Sequence, residues 1–457
     1  MADLLALSAR IIDSGVADEP VNRVTQELSE LAPDLALVES FSHCAVWDTG
    51  EGLVCFDASG VHTGQAVVEA VRSWRTQPIS HLVYTHGHAD HVGGSGFFAA
   101  DAAARGHERP RVIGHENVPV RLDRYDLTSS WNLIINARQF GGVSGELNLA
   151  VGDIREGRRV AVPRDARRFL PADVLRPDDT FRDSHTLRLG DSTLELAHAR
   201  GETDDHLWGW VPDRRWLFTG DFVIWNFPNA GNPQKVQRYP LEWAAALRRM
   251  IAQGPELLVP AHGLPIAGRE RIATVLDDIA TALERLVDEV LAMMNAGATL
   301  DTIVHSVTVP ADVLAKPYLR PLYDEPEFVV RNVWRQFGGW WDGAASRLKP
   351  APDAHLAAAL AELAGGPDVL VRRAEQAVTD GDLRLACHLA DLAGWAAPED
   401  PMVHGARAEI YLARRKAEPS LMAKGIFMAA ARESQAVVAS NADATAAAEA
   451  HGASDGA

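Results

Sequence analysis

Apolar residues recur along this chain with two different periods. Up to about residue 265, short apolar runs alternate with helical spacings; beyond it only the helical spacing continues. Leu4, Leu5, Ile11 and Ile12 among polar positions predict a helix over 3–31. The stretches from Phe41 to Trp47 and from Gly52 to Asp57 read as two strands joined by the turn Asp48-Thr49-Gly50. Val67, Val68 and Val71 fit a helix. Ile79-Ser80-His81-Leu82-Val83-Tyr84 is a β-rich run that ends in a polar, histidine-rich loop. Residues 117–140 are helical, polar and aromatic. Strands return at Thr186–Leu189, Leu194–His198, Trp208–Val211, Trp216–Thr219 and Leu257–Pro260. Alternating strands and helices are an α/β pattern, in which chemistry sits in loops at strand ends.

After residue 265 the strands stop. Ile272, Leu276, Ile279, Leu283, Leu286, Val290 and Met294 predict one long amphipathic helix ending before Gly297. Residues 353–438 are Ala-rich helices, punctuated by Gly365-Gly366-Pro367, Asp380-Gly381-Asp382 and Pro398–Pro401, a spacing that fits antiparallel helix pairs. The expected organisation is a catalytic domain over 1–265, a helical domain over 266–440 and a disordered tail over 441–457.

Composition narrows the function. The chain has 457 residues, 47% hydrophobic and 23% charged, which is a globular balance. A net charge of −18 argues against nucleic acid as a partner, because phosphates need a basic face. No apolar run reaches the roughly 18 residues of a membrane span. The N-terminus has neither a basic start nor an A-x-A cleavage site, and Cys44, Cys55 and Cys387 are too widely spaced for a disulfide framework. A cytoplasmic location is expected, with the cysteines as core residues.

The loop after the third strand reads Thr85-His86-Gly87-His88-Ala89-Asp90-His91. Imidazoles and a carboxylate this close suit Zn²⁺ or Fe²⁺ better than Mg²⁺ or Ca²⁺. The loop is too tight for all of them to grip one ion well. Two pairs pointing opposite ways, His86/His88 and Asp90/His91, would serve two neighbouring metals, with Gly87 permitting the close turn.

This loop resembles the HxHxDH signature of the metallo-β-lactamase superfamily. Gly201-Glu202-Thr203, Thr219-Gly220-Asp221 and Pro260-Ala261-His262-Gly263 stand where the superfamily has its later motifs, with Glu202 replacing the usual histidine. Glutamate there, the run Gly201-Glu202-Thr203-Asp204-Asp205 and Phe227-Pro228-Asn229 look like the alkylsulfatase branch. Tyr323-Asp324-Glu325-Pro326 and the segment from Val329 to Gly343 look like the start of that branch's dimerisation domain. The resemblance implies an αββα metallo-β-lactamase sandwich followed by an all-α dimerisation domain. It implies two Zn²⁺ ions per subunit, one held by His86, His88 and Glu202, the other by Asp90, His91 and His262. Asp221 would be a shared or second-metal carboxylate, and Asp90 and His91 are the catalytic candidates. Larger members carry a further C-terminal lipid-carrier-like domain; this stretch of chain ends before one.

The resemblance further implies a metal-bridging hydroxide that cleaves an ester, with an alkyl sulfate as the leading substrate and a homodimer formed through the C-terminal helices. The charges of two zinc ions would be balanced by Asp90, Glu202, Asp221 and the hydroxide, so cationic neighbours must attract an anionic substrate. Lys235 and Arg238 are candidates for that role, Asn229 lies beside them, and Trp225 is a candidate for an apolar groove. Tyr125, Asn136 and Arg138 belong to a helical insertion that could cover the site. A thioesterase, lactonase or carboxylesterase of the same superfamily is the alternative. A di-iron oxidoreductase is a third class, but no flavodoxin-like or rubredoxin-like segment accompanies the motif.

Overall fold

The computed structural model describes residues 3–141 and 168–454, and between them the backbone of two short strands. The strands are β1 (Leu28–Ala32), β2 (Leu35–Val38), β3 (Cys44–Asp48), β4 (Leu53–Phe56), β5 (Ile79–Val83), β6 (Arg111–His115), β7 (Glu146–Asn148), β8 (Arg159–Ala161), β9 (Asp179–Phe181), β10 (Ser184–Leu189), β11 (Ser192–His198), β12 (Leu207–Val211), β13 (Trp216–Gly220), β14 (Leu257–Pro260) and β15 (Ile266–Ala267). One sheet runs β1-β2-β3-β4-β5-β6-β9 and a second runs β10-β11-β12-β13-β14-β15. Both are mixed: β4, β5, β6 and β9 pair in parallel in the first, and β13 with β14 in the second.

The central strands are apolar on both faces because each sheet is covered twice. Between the sheets, Phe56 of β4 stacks on Phe218 of β13, with ring centroids 3.9 Å apart and planes 8° from parallel. Gly209 of β12 lies directly across from Phe218, and a Cβ there would stand 2.8 Å from the Phe56 ring. Trp47 and Trp216 meet edge to face beside this stack. On the other face of the first sheet, helix Gly64–Trp74 brings Val67, Val68 and Val71 to Cys44, Val46, Cys55 and Leu82. Helices Pro240–Gln253 and Arg269–Asn295 pack on each other and share one core with the second sheet. The result is helix–sheet–sheet–helix layering, as the resemblance implied.

The first helix is shorter than the sequence suggested. It covers only Leu4–Ser14, because Gly15 turns into the left-handed region and returns its N–H to Ile11 and Ile12. The chain then extends into β1.

The chain divides into two compact units, 1–134 with 145–340 and 135–144 with 341–457. The strands end by Ala267, but the long helix after them stays with the first unit, since Ile272, Leu276, Ile279 and Leu283 belong to its core. The second unit is helical: Asp353–Ala364, Pro367–Thr379, Leu383–Ala396, Pro401–Ala417 and Leu421–Ser454. Its interior is built from small residues, among them Ala374, Ala377, Ala386 and Ala390, which let helices approach closely. The Ala-rich stretch beyond Asn441, expected as a disordered tail, continues the last helix to Ser454, in keeping with the helix propensity of alanine. No single helix among the described residues is long and apolar enough to cross a membrane.

Candidate metal centre

The parallel strands deliver their C-terminal ends to one place. Asp57 follows β4, the histidine loop follows β5, Asp221 follows β13 and His262 follows β14. Asp57 adopts a positive φ of 61°, uncommon outside glycine, and this turns its carboxylate onto the loop. It accepts the Thr85 N–H and the Thr85 hydroxyl, each at 2.8 Å, so the first turn after β5 is pinned before the histidines begin. The next turn is held by Asp205, which accepts the Gly87 N–H at 3.0 Å and Arg121 Nε at 2.9 Å. Arg121 comes from helix Asn117–Leu127, so this first helix of the insertion reaches the loop through Arg121, while Tyr125 is buried in the core behind; Asn136 and Arg138 belong to the other compact unit. Gly87 suits this turn, because a Cβ would crowd the Asp205 carboxylate at 2.9 Å and the Arg121 side chain at 3.0 Å and displace the pair that holds the loop.

Two donor groups result. His86, His88, Glu202 and Asp221 offer ligand atoms that all lie within 4.8 Å of one another, and so do Asp90, His91 and His262. Asp221 faces both groups: its Oδ1 is 3.4 Å from His91 Nε2 and 3.5 Å from His262 Nε2, and its Oδ2 is 3.9 Å from His86 Nε2. Asp90 Oδ2 stands 3.5 Å from both His91 Nε2 and His262 Nε2. In the first group His86 Nε2 lies 2.8 Å from His88 Nδ1, which is 3.6 Å from Glu202 Oε1.

The donor set fits metal ions. His91 Nε2, Glu202 Oε2 and Asp221 Oδ1 are buried with no hydrogen-bond partner, the condition a metal ligand would be left in. Burial, then neighbouring histidines for His86 and Arg238 for His88, hold both imidazoles well below their usual range, so they are neutral. Burial opposes charge on His91 and His262, but Asp221 and its neighbouring carboxylates outweigh it and raise both. Burial drives Glu202 well up against the pull of Arg238. A buried set of carboxylates therefore calls for positive charge, which protons supply here and divalent ions would supply better.

Supporting residues complete the site. Asp57 Oδ2 lies 2.8 Å from His91 Nδ1, which leaves Nε2 turned to the ligands. His206 Nε2 accepts the Asp221 N–H at 3.1 Å. The His43 ring Nε2 lies 2.8 Å from Gly263 O, and the His43 main-chain N–H donates to Ala261 O at 2.7 Å, steadying the turn that carries His262. The sequence reading missed Asp57, His43 and His206; only the place of Asp57 at the end of a parallel strand could have suggested it.

The residues expected at the substrate divide. Arg238, expected at an anion, is buried and turned onto Glu202: Nη1 stands 3.1 Å from Oε1 and also donates to the Glu202 carbonyl. Asn229 likewise donates its Nδ2 to Glu202 Oε1. A buried carboxylate without such donors would be costly, which explains why both are drawn to it. Trp225, expected in a groove, is wholly buried; its Nε1 donates to Leu264 O at 2.8 Å, and its ring meets Tyr318 edge to face. Lys235 lies within electrostatic reach of Asp90 and Glu202, both of which favour its charged form. Burial, reinforced by Arg238 and Arg124, brings its ammonium down to about 7.

Residues 39–262 match the metallo-beta-lactamase superfamily, and residues 299–436 match the alkyl sulfatase dimerisation domain. A linear primary-alkylsulfatase of Pseudomonas sp. (strain ATCC 19151) is 30% identical over 354 residues, covering 76% of this chain and 64% of that protein. An (R)-specific secondary-alkylsulfatase of Pseudomonas sp. is 24% identical over 405 residues, covering 83% and 58%. The chain thus spans less than two thirds of the length of either relative. Among solved structures, a stereoselective inverting sec-alkylsulfatase from Pseudomonas sp. shares the fold, with a TM-score of 0.77 at 21% identity over 89% of this chain and 65% of that one.

Proposed function

This chain belongs to the metallo-β-lactamase superfamily and carries an alkyl sulfatase dimerisation domain, and from that premise we propose that it is a dinuclear zinc hydrolase of alkyl sulfate esters. The observation that supports this most is the pair of abutting donor groups with Asp221 facing both. Histidine and carboxylate donors without thiolate suit zinc in an open, catalytic arrangement. When bound, a zinc pair supplies a water acidified to a pKa near ~7 and a Lewis-acid contact for the ester oxygen.

The rest of the work falls to side chains. Asp90 and His91, two neighbours on one short helical turn, would hold the same ion as His262. Asp57 keeps His91 in the tautomer that can bind. Asp205 and Arg121 hold the backbone between His86 and His88. Lys235 meets the anionic head group as a point charge. The relatives' names support an alkyl sulfate as substrate, and the dimerisation domain supports a homodimer through the C-terminal helices.

The zinc-loaded chain should release sulfate from a medium-chain alkyl sulfate, and His86→Ala should abolish release. Full metal loading without sulfate release across a panel of chain lengths would rule the sulfatase out. One observation favours a second reading. Arg238 is committed to Glu202, which lessens the positive charge offered to an anion. A thioesterase, lactonase or carboxylesterase would not need that charge, and the same panel extended to those esters separates the two.

A further inference from the structure

The helix Pro326–Gly338 lies outside the span matched to the metallo-β-lactamase superfamily and inside the one matched to alkyl sulfatase dimerisation. It nevertheless grips, along its length, the loop that serves Glu202. Before the helix starts, Arg320 O accepts the Phe227 N–H at 2.9 Å, and the buried Asp324 accepts the Gly231 N–H at 2.7 Å. Gly231 then presses on the first turn: a Cβ there would fall 2.2 Å from the backbone of Phe328 and Val329. One turn on, Asn332 clasps Arg238 from both sides. Its Nδ2 donates to Arg238 O at 2.9 Å, and its Oδ1 accepts from the Arg238 N–H at 3.4 Å. Gln237 Nε2 at 3.0 Å and Arg335 Nη2 at 3.2 Å donate to the same oxygen.

We propose that Asn332 is a positioning residue for the metal ion held by Glu202, acting through Arg238. This rests on the metal reading given above. The contacts form an unbroken series: Asn332 fixes the Arg238 main chain, and the Arg238 guanidinium and Asn229 amide fix the Glu202 carboxylate. All of these groups are buried, so a lost partner is not replaced by water without cost. Glu202 belongs to only one of the two donor groups, so disturbing its support should be felt by one metal and not the other. The dimerisation segment is thereby part of the metal centre as well as a platform for assembly.

The test is zinc binding by the full chain, titrated against a competing chromophoric chelator, alongside thermal unfolding. Asn332→Ala should weaken one of two zinc affinities by roughly tenfold, the low end for loss of an outer-shell partner, and leave the other unchanged. Asn332→Asp keeps the acceptor oxygen and should fall between; it carries the test if the alanine variant does not fold. Arg331→Ala, on the exposed side and paired with Glu327, should bind zinc as the parent does. Equal weakening of both sites, or of neither, would overturn the proposal. A parent chain that takes up no zinc would overturn the metal reading itself.

Discussion

The carboxylate of Asp57 lies 2.8 Å from Nδ1 of His91, and the opposite nitrogen of that ring is buried without a hydrogen-bond partner. The pair fixes which nitrogen is free to bind a metal. It also ties the end of β4 to the histidine loop, since the same carboxylate holds Thr85. Asp57→Ala should therefore lower zinc affinity at the group of Asp90, His91 and His262 by about 10–100-fold, the range for carboxylates behind histidine ligands. Asp57→Asn keeps one acceptor and should lose less. Zinc content after dialysis against graded chelator is the readout; an alanine variant that holds zinc as tightly as the parent would show that the His91 tautomer is set elsewhere.

Lys235 gives a pH dependence with a definite sign. Burial first, and Arg238 second, lower its ammonium to about 7. A lowered lysine is charged below that pH and neutral above it. If it meets the head group of an alkyl sulfate, KM should rise as pH passes from about 6 to about 8, with kcat changing less. Lys235→Arg keeps its charge throughout and should flatten the KM profile. A parent KM that stays level over this range would exclude Lys235 from head-group binding.

The sandwich was legible because its signals are local. Strands such as Leu53–Phe56 and Leu257–Pro260 are short apolar runs, and the histidine loop states its chemistry within a few adjacent residues. Glu202, Asp221 and His262 could be found by matching motifs, and the structure gathers them with the loop. What the sequence hid were partners set by long-range packing. Nothing near Arg238 announces that Asn332, far along the chain, will hold its main chain, or that Glu202 will take its guanidinium. Asp57 looks like any aspartate closing a strand. Trp225 misled for a related reason: its neighbours in sequence suggest an open loop, whereas Leu264 and Tyr318 enclose it.

The close approach of the two sheets depends on Gly209, which lies across from Phe218 and leaves room for the Phe56 ring stacked on it. A Cβ at Gly209 would reach 2.8 Å from one ring atom of Phe56 and 3.1 Å from another. The ring cannot yield easily, because it is buried and parallel to Phe218 at 3.9 Å. Gly209→Val should therefore destabilise the chain by about 1–3 kcal/mol, as overpacking of a dense core does. Thermal unfolding should show a drop of about 2–4 °C for each kcal/mol. Phe56→Leu removes the ring that obstructs the new side chain. In the double variant the cost of valine should then shrink, giving a coupling measurable by a double-mutant cycle. If valine costs the same with leucine at 56, the Phe56 ring is not what requires glycine at 209.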